Sequence, residues 1–354
     1  MKKKIIFGKE IYKYTGCIHV HTKYSFDADG EIDDIIKSAK QSKLDFITIN
    51  DHLSLDAKRE INKKNYNGIY VLVGYEMNDS QRRNHYLVFN TNKVLPTSLS
   101  AKEYVKNVSE EKGYGFIAHP IEKRCSKRLR KYQWLAWDAT EFDGLEIWNY
   151  LSEWTGSLSI PFNIIFKILF PNLSIKMPYK ETLKKWDTYN LNGFRKSAIG
   201  STDSHGYTYS FKPFSITPMP HKKLFKTIRT NIWLKEKLMD DNYEQQILNA
   251  LKKGNSFIVN YNRGNPDNFS CYIYSKKTKN FAIPGEEIPL SEEQLILWVN
   301  LPQKNLIKII YNGDIIHYEI SASISIPISK SGFYRVEVYK GKYGWIYSNP
   351  IYVV

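Results

Sequence analysis

The chain has few cysteines and no long apolar run. Cys17, Cys125 and Cys271 are widely separated and form no Cys-x-x-Cys pair, so no disulfide framework is indicated. The most apolar stretch, residues 158–170, is interrupted by Pro161 and Lys167 and is shorter than the roughly 20 residues of a membrane span. We expect a buried or lid helix there. The basic N-terminus has too short an apolar run for a signal peptide, and we expect a cytoplasmic protein.

The sequence also lacks internal repeats, a low-complexity linker and any zinc-finger or RNP nucleic-acid motif. What it does have is a formal net charge of +15 over 354 residues. That charge favours anionic partners such as a phosphorylated small molecule, nucleic acid or a membrane surface. Because the basic residues are spread along the whole chain, most of them are expected to be solvated surface.

The first part of the chain alternates short apolar runs with amphipathic helical patterns. The alternating segments are 17–21, 32–41, 46–50, 71–76, 86–90, 101–111, 115–119, 145–149, 180–191 and 197–202. This order is typical of βα units that feed a parallel sheet or barrel. Since the carboxyl ends of such strands meet on one face, polar residues at those ends should converge. We assign residues 1–235 to this domain.

The pattern changes in residues 236–354, which we assign to a second domain. A helix is predicted over residues 242–253, preceded by Asp240 and Asp241 and closed by Gly254. Beyond it the chain contains only short strand patterns, and the Asn312–Gly313 pair indicates a tight hairpin. A small β-sandwich is therefore expected after the helix.

Histidines and carboxylates accumulate at the predicted strand ends. Six of the eight histidines fall in the first 205 residues, and five of these lie at or beside a strand end. In the His-Val-His segment, the two imidazoles of an extended strand would point to the same face. Nine nitrogen and oxygen ligands are too many for one tetrahedral ion and suit two or three ions of zinc, manganese or iron. The candidate ligands are His19, His21, Asp27, His52, Glu76, His85, His119, Asp203 and His205.

These motifs resemble those of the PHP (polymerase and histidinol phosphatase) superfamily over residues 15–206. The resemblance is carried by HVHTKYSFD, NDH, GYE, the histidine of NHYLVF, AHP and STDSHG. It implies an α/β fold, namely a distorted (β/α)7 barrel with a trinuclear metal site at the strand C-termini. The implied ligand sets are His19, His21, Glu76 and Asp203 for one metal, Glu76, His85 and His119 for a second, and Asp27, His52 and His205 for a third.

The rest of the chain is similar to the carbaryl-esterase-like (CehA/McbA) branch of that superfamily. The segments that carry this similarity are GLEIWNYLSEW, ETLKKWD, RTNIW, ALKKGNSFI and WIYSNPIYV. They imply that the C-terminal β-sandwich belongs to the normal architecture of the enzyme.

The expected chemistry is hydrolysis by a metal-bridged hydroxide, because two cations about 3.5–4 Å apart can lower the pKa of a bridging water towards 7. Protonation of the leaving group is expected either from a histidine, with His52 and His205 as the predicted catalytic groups, or from a water on the third metal. Arginines near the motifs are predicted to bind substrate phosphate, since guanidinium groups match its oxygens bidentately. They are Arg82, Arg83, Arg124, which belongs to the basic run at residues 123–131, and Arg229. Glu146 and Asn149 suit either a supporting or a plain structural role, as do the aromatic residues Trp148, Tyr150 and Trp154.

Three functions remain open at this point. The leading hypothesis is a phosphoesterase that acts on a phosphomonoester, a nucleotide or an oligonucleotide end. The chain is expected to have no membrane span, and the sequence does not determine its oligomeric state. The second is a carboxyl-ester or carbamate hydrolase with the same metal cluster, because fold and metals do not decide the substrate. The third is a catalytically inactive binding module with a vestigial metal site. Turnover of phosphate and acetate esters discriminates among them.

Overall fold

The computed structural model describes residues 2–61, 65–159, 162–211 and 214–354. Its α-helices are α1 (Ile32–Gln41), α2 (Ala101–Glu110), α3 (Tyr150–Gly156), α4 (Ile164–Leu169), α5 (Lys180–Leu191), α6 (His221–Leu224) and α7 (Tyr243–Lys253). Its first ten strands are β1 (Lys2–Ile6), β2 (Lys9–Val20), β3 (Phe46–His52), β4 (Tyr70–Met77), β5 (Tyr86–Phe89), β6 (Tyr114–Ile117), β7 (Gly144–Asn149), β8 (Ser197–Ser201), β9 (Tyr209–Phe211) and β10 (Phe214–Ile216). The other ten are β11 (Ile228–Leu234), β12 (Ser256–Asn260), β13 (Ser270–Ser275), β14 (Phe281–Ala282), β15 (Glu287–Ile288), β16 (Leu295–Tyr311), β17 (Asp314–Ile328), β18 (Gly332–Lys340), β19 (Tyr343–Ser348) and β20 (Ile351–Val353).

The N-terminal part contains two groups of parallel strands. β2, β3 and β4 run parallel to one another, as do β6, β7 and β8. The chain beyond β8 returns to β2, where Thr202 N donates to Ile18 O at 3.2 Å and His21 N donates to Ser204 O at 2.9 Å. The carboxyl ends of β2 and β8 therefore lie side by side.

β5 corrects the expectation that the strands of this part follow one another in parallel. It pairs antiparallel with both β4 and β6. Only residues 78–85 separate β4 from β5, which is shorter than the dozen or more residues that a parallel crossover needs. The hairpin puts the start of β5 at the edge where β4 ends, because Met77 pairs with Tyr86.

The helices begin and end where local chemistry favours it. In α1 the apolar residues recur at helical spacing and are buried, and Asp33 and Asp34 occupy the first turn, where the helix dipole favours negative charge. Ser100 and Glu103 form a reciprocal capping box at the start of α2. Gly254 ends α7 with a φ of 78°, a left-handed conformation that glycine adopts without a steric penalty.

The C-terminal part is joined to the N-terminal strands by hydrogen bonds. β11 pairs with β2 and with β12, and β12 pairs with β19. Residues 254–354 contain nine strands, β12 to β20, and no α-helix. A buried ion pair also links the two parts, since Arg335 on β18 donates to both carboxylate oxygens of Asp187 on α5, at 2.8 and 2.7 Å.

α7 packs with the N-terminal strands. Its Ile247 and Leu251 share one core cluster with Ile18 of β2 and Leu72 of β4. A helix that we assigned to the second domain thus buries its apolar face against the first. The boundary at residue 235 and the β-sandwich remain predictions.

We expected a buried or lid helix in the apolar stretch at residues 158–170, and the helix found there, α4, is not buried. α4 has no buried residue, and Ile165 and Leu169 are 73% and 64% exposed. The interrupting Pro161 lies outside the described residues. Among the helices that the structure describes, none has the length and apolar character needed to cross a bilayer.

Candidate metal centre

The candidate ligands come from strand ends that the sheet brings together. His19 lies at the end of β2, His52 ends β3, Glu76 lies near the end of β4, and His85 directly precedes β5. The others occupy the loops after β2, β6 and β8, and they are His21, Asp27, His119, Asp203 and His205. Since β5 is reversed, its start meets the carboxyl ends of the parallel strands, and His85 reaches the same edge as the other donors.

Glu76 lies at the centre of the cluster and is 1% exposed. Its Oε1 is 2.7 Å from His85 Nδ1 and 3.2 Å from His119 Nε2. Its Oε2 is 3.1 Å from His19 Nε2 and 3.2 Å from His52 Nδ1. Each carboxylate oxygen thus lies within 3.2 Å of two imidazoles, which is an arrangement suited to bridging two cations.

Asp203 completes a four-atom group with the His-Val-His pair. Its Oδ1 is 3.4 Å from His19 Nε2 and 3.3 Å from His21 Nε2. His21 Nε2 is also 3.5 Å from Glu76 Oε2. These separations are close to those between ligand atoms around a four-coordinate ion with bonds of about 2.0–2.2 Å.

A third group lies beside the first. Asp27 Oδ2 is 3.4 Å from both His52 Nε2 and His205 Nε2. His21 also belongs to this group. One ligand atom from each of its four residues, His21, Asp27, His52 and His205, lies within 4.8 Å of the other three. His52 therefore stands between two candidate ions, and the division of ligands among the ions remains a prediction.

Hydrogen bonds behind the imidazoles fix their orientation. His19 Nδ1 lies 2.8 Å from Glu146 Oε1, and His21 Nδ1 lies 3.2 Å from Ser25 Oγ. If each Nδ1 donates, each Nε2 keeps its lone pair towards the carboxylates. Among the described residues, the buried Nε2 atoms of His19 and His21 have no hydrogen-bond partner. Buried nitrogens that face carboxylates without a hydrogen bond fit a shared cation.

The charges of the cluster shift the pKa values of its members. Burial is the largest influence on His119 and His205 and disfavours their imidazolium forms, but the neighbouring carboxylates together outweigh it and raise each pKa to about 9. The carboxylates are those of Glu76, Glu122 and Asp203 at His119, and of Asp27 and Asp203 at His205. Burial dominates at His21, whose pKa falls to about 3. Burial also opposes ionisation of Glu76, yet the surrounding histidines hold its pKa well below the usual range. The carboxylates are therefore ionised and available to a metal at neutral pH.

Three candidate ligands have left-handed backbone conformations. The φ angles are 65° at His19, 25° at His119 and 52° at Asp203. The pairing of β2 with β3 is irregular between Cys17 and Val20, so His19 does not follow simple strand alternation. Such conformations are uncommon for non-glycine residues and cluster at functional sites.

A cavity of about 420 Å³ opens onto the cluster and contains some of the predicted arginines. Arg82 and Arg124 line it. Arg124 is held by Glu122, which accepts from Nη2 at 2.6 Å, whereas Arg82 is exposed. Arg83 is exposed and does not line the cavity.

Arg229 was wrongly predicted to contact the substrate. Its side chain is 6% exposed and donates to Phe225 O at 2.6 Å and to Ser42 O at 2.9 Å. It lines a separate cavity with Lys13 and Asp45. Arg229 is the second residue of β11, next to the Thr230–Gly16 pair with β2, but its side chain turns towards Phe225 and Ser42 instead of towards the histidines.

Several residues that line the cavity were missed from the sequence, among them Phe26, Glu122 and Tyr132. Glu122 is 4% exposed and accepts from Tyr132 N as well as from Arg124, so it shapes the loop after β6. The basic run at residues 123–131 contained Arg130, but its pattern did not distinguish this arginine from its solvated neighbours.

The residues of the GLEIWN segment take different roles. Glu146 contacts His19 and accepts from His119 N at 2.8 Å, and Asn149 donates to Glu146 at 2.9 Å and to Asp203 at 3.3 Å. Both therefore support the cluster. Trp148, Tyr150 and Trp154 are 2%, 0% and 8% exposed and belong to the hydrophobic core, so they form no wall of the cavity.

Comparison with known proteins supports a PHP assignment for part of the chain. Residues 18–146 match the PHP domain family. The matched PHP segment contains seven of the nine candidate ligands and lacks Asp203 and His205. The match and the His/Asp/Glu cluster together support a metal-dependent hydrolase.

The individual relatives are distant. An uncharacterized protein of Methanocaldococcus jannaschii is 26% identical over 144 residues, which are 37% of this chain and 80% of that protein. A two-domain protein from Bacteroides vulgatus, described as containing a predicted PHP-like metal-dependent phosphoesterase, aligns over 96% of this chain and 95% of its own, with 13% identity and a TM-score of 0.46. Endonuclease Q, in complex with a duplex that has an abasic lesion, covers 73% of this chain and 63% of its own, with 16% identity and a TM-score of 0.43. Structural likeness at this level carries no conclusion about function.

Proposed function

We propose that the chain is a phosphoesterase that holds two or three divalent cations of zinc, manganese or iron and hydrolyses a phosphomonoester, a nucleotide or an oligonucleotide end. The observation that carries the proposal is the cluster of six histidines and three carboxylates with Glu76 at its centre, beside a cavity that arginines also line. When bound, such ions supply an activated water and neutralise the charge that develops on the ester oxygens. We place one ion between His19, His21, Glu76 and Asp203, a second between Glu76, His85 and His119, and a third between Asp27, His52 and His205.

The arginines of the cavity would bind the phosphate. Arg124 is fixed in direction, because its Nη2 donates to Glu122 and its Nε and Nη1 donate to the backbone oxygens of Arg130, Lys123 and Ser152. The second N–H of Nη2 is left for the phosphate and can be offered with little loss of side-chain entropy. Arg82 is exposed at the mouth and can close over a bound anion. The phosphoester hypothesis accounts for both better than a neutral carboxyl ester does.

We assign protonation of the leaving group to His205. Its Nδ1 lies 3.0 Å from the backbone oxygen of Asp203, so Nδ1 donates and Nε2 is left to carry the mobile proton. The His205 side chain is 17% exposed against 7% for that of His52, so it is the more accessible of the two. The same Nε2 cannot bind a third ion while it holds a proton, so this role belongs to the enzyme with two ions bound.

We also propose the finer architecture implied by the sequence. It comprises the distorted (β/α)7 barrel formed by β2 to β8, a C-terminal β-sandwich and membership of the carbaryl-esterase-like branch. The return of residues 202–204 to β2 supports closure of the barrel. A cytoplasmic location agrees with Cys17, Cys125 and Cys271, none of which forms a disulfide.

Turnover of three p-nitrophenyl esters tests the function. The manganese- and zinc-loaded protein is assayed on p-nitrophenyl phosphate, bis-p-nitrophenyl phosphate and p-nitrophenyl acetate, and we expect hydrolysis of a phosphate ester. Acetate hydrolysis with both phosphates inert would replace the proposal by the carboxyl-ester or carbamate hydrolase. No turnover of any ester would favour the binding module.

A histidine substitution tests whether the metals are responsible. His19→Ala should abolish turnover, because it removes a nitrogen 3.1 Å from Glu76 and 3.4 Å from Asp203. The matched control is His317→Ala on β17, whose side chain is 40% exposed and lies outside the cluster. Full activity of His19→Ala would refute the mechanism.

A further inference from the structure

A row of aromatic rings runs along the metal cluster. Phe26 stacks on His52 with ring centroids 5.0 Å apart and an angle of 23° between the planes. His52 and His85 lie 5.5 Å apart, and Tyr132 lies 5.1 Å from His85. Two of these four rings are candidate ligands, and the other two close the row at its ends.

An arginine accompanies each end of the row. Arg82 Cζ lies 5.9 Å from the centroid of Phe26, and Arg130 Cζ lies 5.4 Å from that of Tyr132. Both arginines are exposed, and Arg130 also donates a hydrogen bond to Gln81 O. Guanidinium planes stack on aromatic faces and also pair with phosphate oxygens, so each arginine can contact two parts of one ligand.

Phe26 is the ring with an open surface. It is 74% exposed, although it lines the cavity beside Asp27 and His52. Tyr132 is more enclosed, since it packs between His85 and Arg130 and its backbone is held by Glu122. The apolar side chains of Leu53, Leu129 and Leu151 also line the cavity, whose volume of about 420 Å³ falls in the range of small-molecule sites.

We propose that this pocket takes a phosphomonoester whose alcohol carries a planar aromatic ring, which stacks on Phe26 under the guanidinium of Arg82. The inference rests on the proposed phosphoesterase function and specifies its substrate class. Stacking on Phe26 would hold the ring next to the donors that meet the phosphate. Phe26 is then a specificity-determining residue and takes no part in bond cleavage.

Binding of two phosphonates of matched shape tests the inference without requiring turnover. Benzylphosphonate and cyclohexylmethylphosphonate carry the same anion on rings of similar size, and only the first ring is aromatic. We expect calorimetry on the manganese-loaded protein to give a dissociation constant about tenfold lower for benzylphosphonate, as is usual for one stacked ring. Phe26→Leu should bring the two constants within about twofold while metal content stays unchanged.

Phe7→Leu is the matched control, because Phe7 is also exposed, at 43%, and contacts Tyr272 and Tyr274 in the C-terminal part. It should keep the wild-type preference. Equal binding of the two phosphonates by the wild type, binding of neither, or an equal loss of both in Phe26→Leu would overturn the inference.

Turnover of benzyl phosphate and cyclohexylmethyl phosphate separates this inference from the proposed function. Hydrolysis of both with equal kcat/KM contradicts the stacking and leaves the phosphoesterase intact. Absence of hydrolysis together with a clear phosphonate preference contradicts the phosphoesterase and leaves the aromatic site intact.

Discussion

Glu146→Gln is predicted to weaken metal binding although Glu146 is placed behind the ligands. One Glu146 oxygen is 2.8 Å from His19 Nδ1, and the other accepts from His119 N at 2.8 Å and from Asn149 at 2.9 Å. The carboxylate therefore faces three donors. Glutamine offers a single acceptor oxygen, so its NH2 group must face a donor on one side.

Either orientation of the glutamine disturbs the cluster. With the NH2 group towards His19, the imidazole is driven to the tautomer that protonates Nε2 and removes its lone pair from the metal. With the opposite orientation, His119 N and Asn149 lose their acceptor. Loss of such supporting contacts costs about 10- to 100-fold in metal affinity, or about 1.4–2.8 kcal/mol.

Competition with a chelator for manganese or zinc measures the effect. Glu337→Gln is the control, because Glu337 is 5% exposed and accepts from Arg335 at 2.6 Å in the C-terminal part, so the same chemical change occurs away from the cluster. We expect wild-type metal affinity in the control and a loss of at least tenfold in Glu146→Gln. Equal affinities in the two variants would refute the role of Glu146.

Three other predictions follow from the described contacts. In the metal-free protein, the pKa of His205 is raised to about 9, so its contribution to stability is fully present below about pH 6.5 and is lost as the pH rises towards 9. Urea unfolding in the presence of a chelator should show that the free energy of unfolding falls over this pH range, and that it falls less in His205→Asn. Once metal is bound, His205 should contribute nothing to the fall. Equal pH dependence of the unfolding free energy in wild type and variant would contradict the prediction. Asp187→Asn should lower the free energy of unfolding by about 3 kcal/mol, because it leaves the buried Arg335 with only Glu337 as an ionic partner. A change below about 1 kcal/mol in urea unfolding would count against the importance of this ion pair. Arg82→Ala should raise the KM for a phosphate ester about tenfold, because a charged hydrogen bond to the substrate is lost. Arg83→Ala should leave the KM unchanged, and similar KM values for the two variants would show that Arg82 does not bind the substrate.

The composition of the candidate site could be predicted because it depends on one topological rule. Carboxyl ends of parallel strands converge, so the histidines and carboxylates that follow apolar runs were expected to meet, as His52 and Glu76 do at 3.2 Å and His19 and Asp203 do at 3.4 Å. Local chemistry also predicted the helix that Gly254 closes, since a glycine after an amphipathic run is a common C-terminal signal.

What the sequence could not indicate is the backbone geometry that aims the donors. His19 was expected on an extended strand, but both His19 and Asp203 have left-handed φ angles, a choice that depends on tertiary packing and has no local signal at a histidine or an aspartate. The four predicted arginines look alike in sequence. Only the hydrogen bonds of the Arg229 side chain to Phe225 O and Ser42 O show that it is turned away from the cluster, whereas Arg82 lines the cavity.

Anomalous diffraction from crystals of the manganese- or zinc-loaded protein tests the central claim most directly. The account predicts at least two metal peaks about 3.5–4 Å apart, with Glu76 bound to both and His19, His21 and Asp203 around one of them. A single peak away from Glu76, or none in the cluster at saturating metal, would contradict the metal-dependent hydrolase itself.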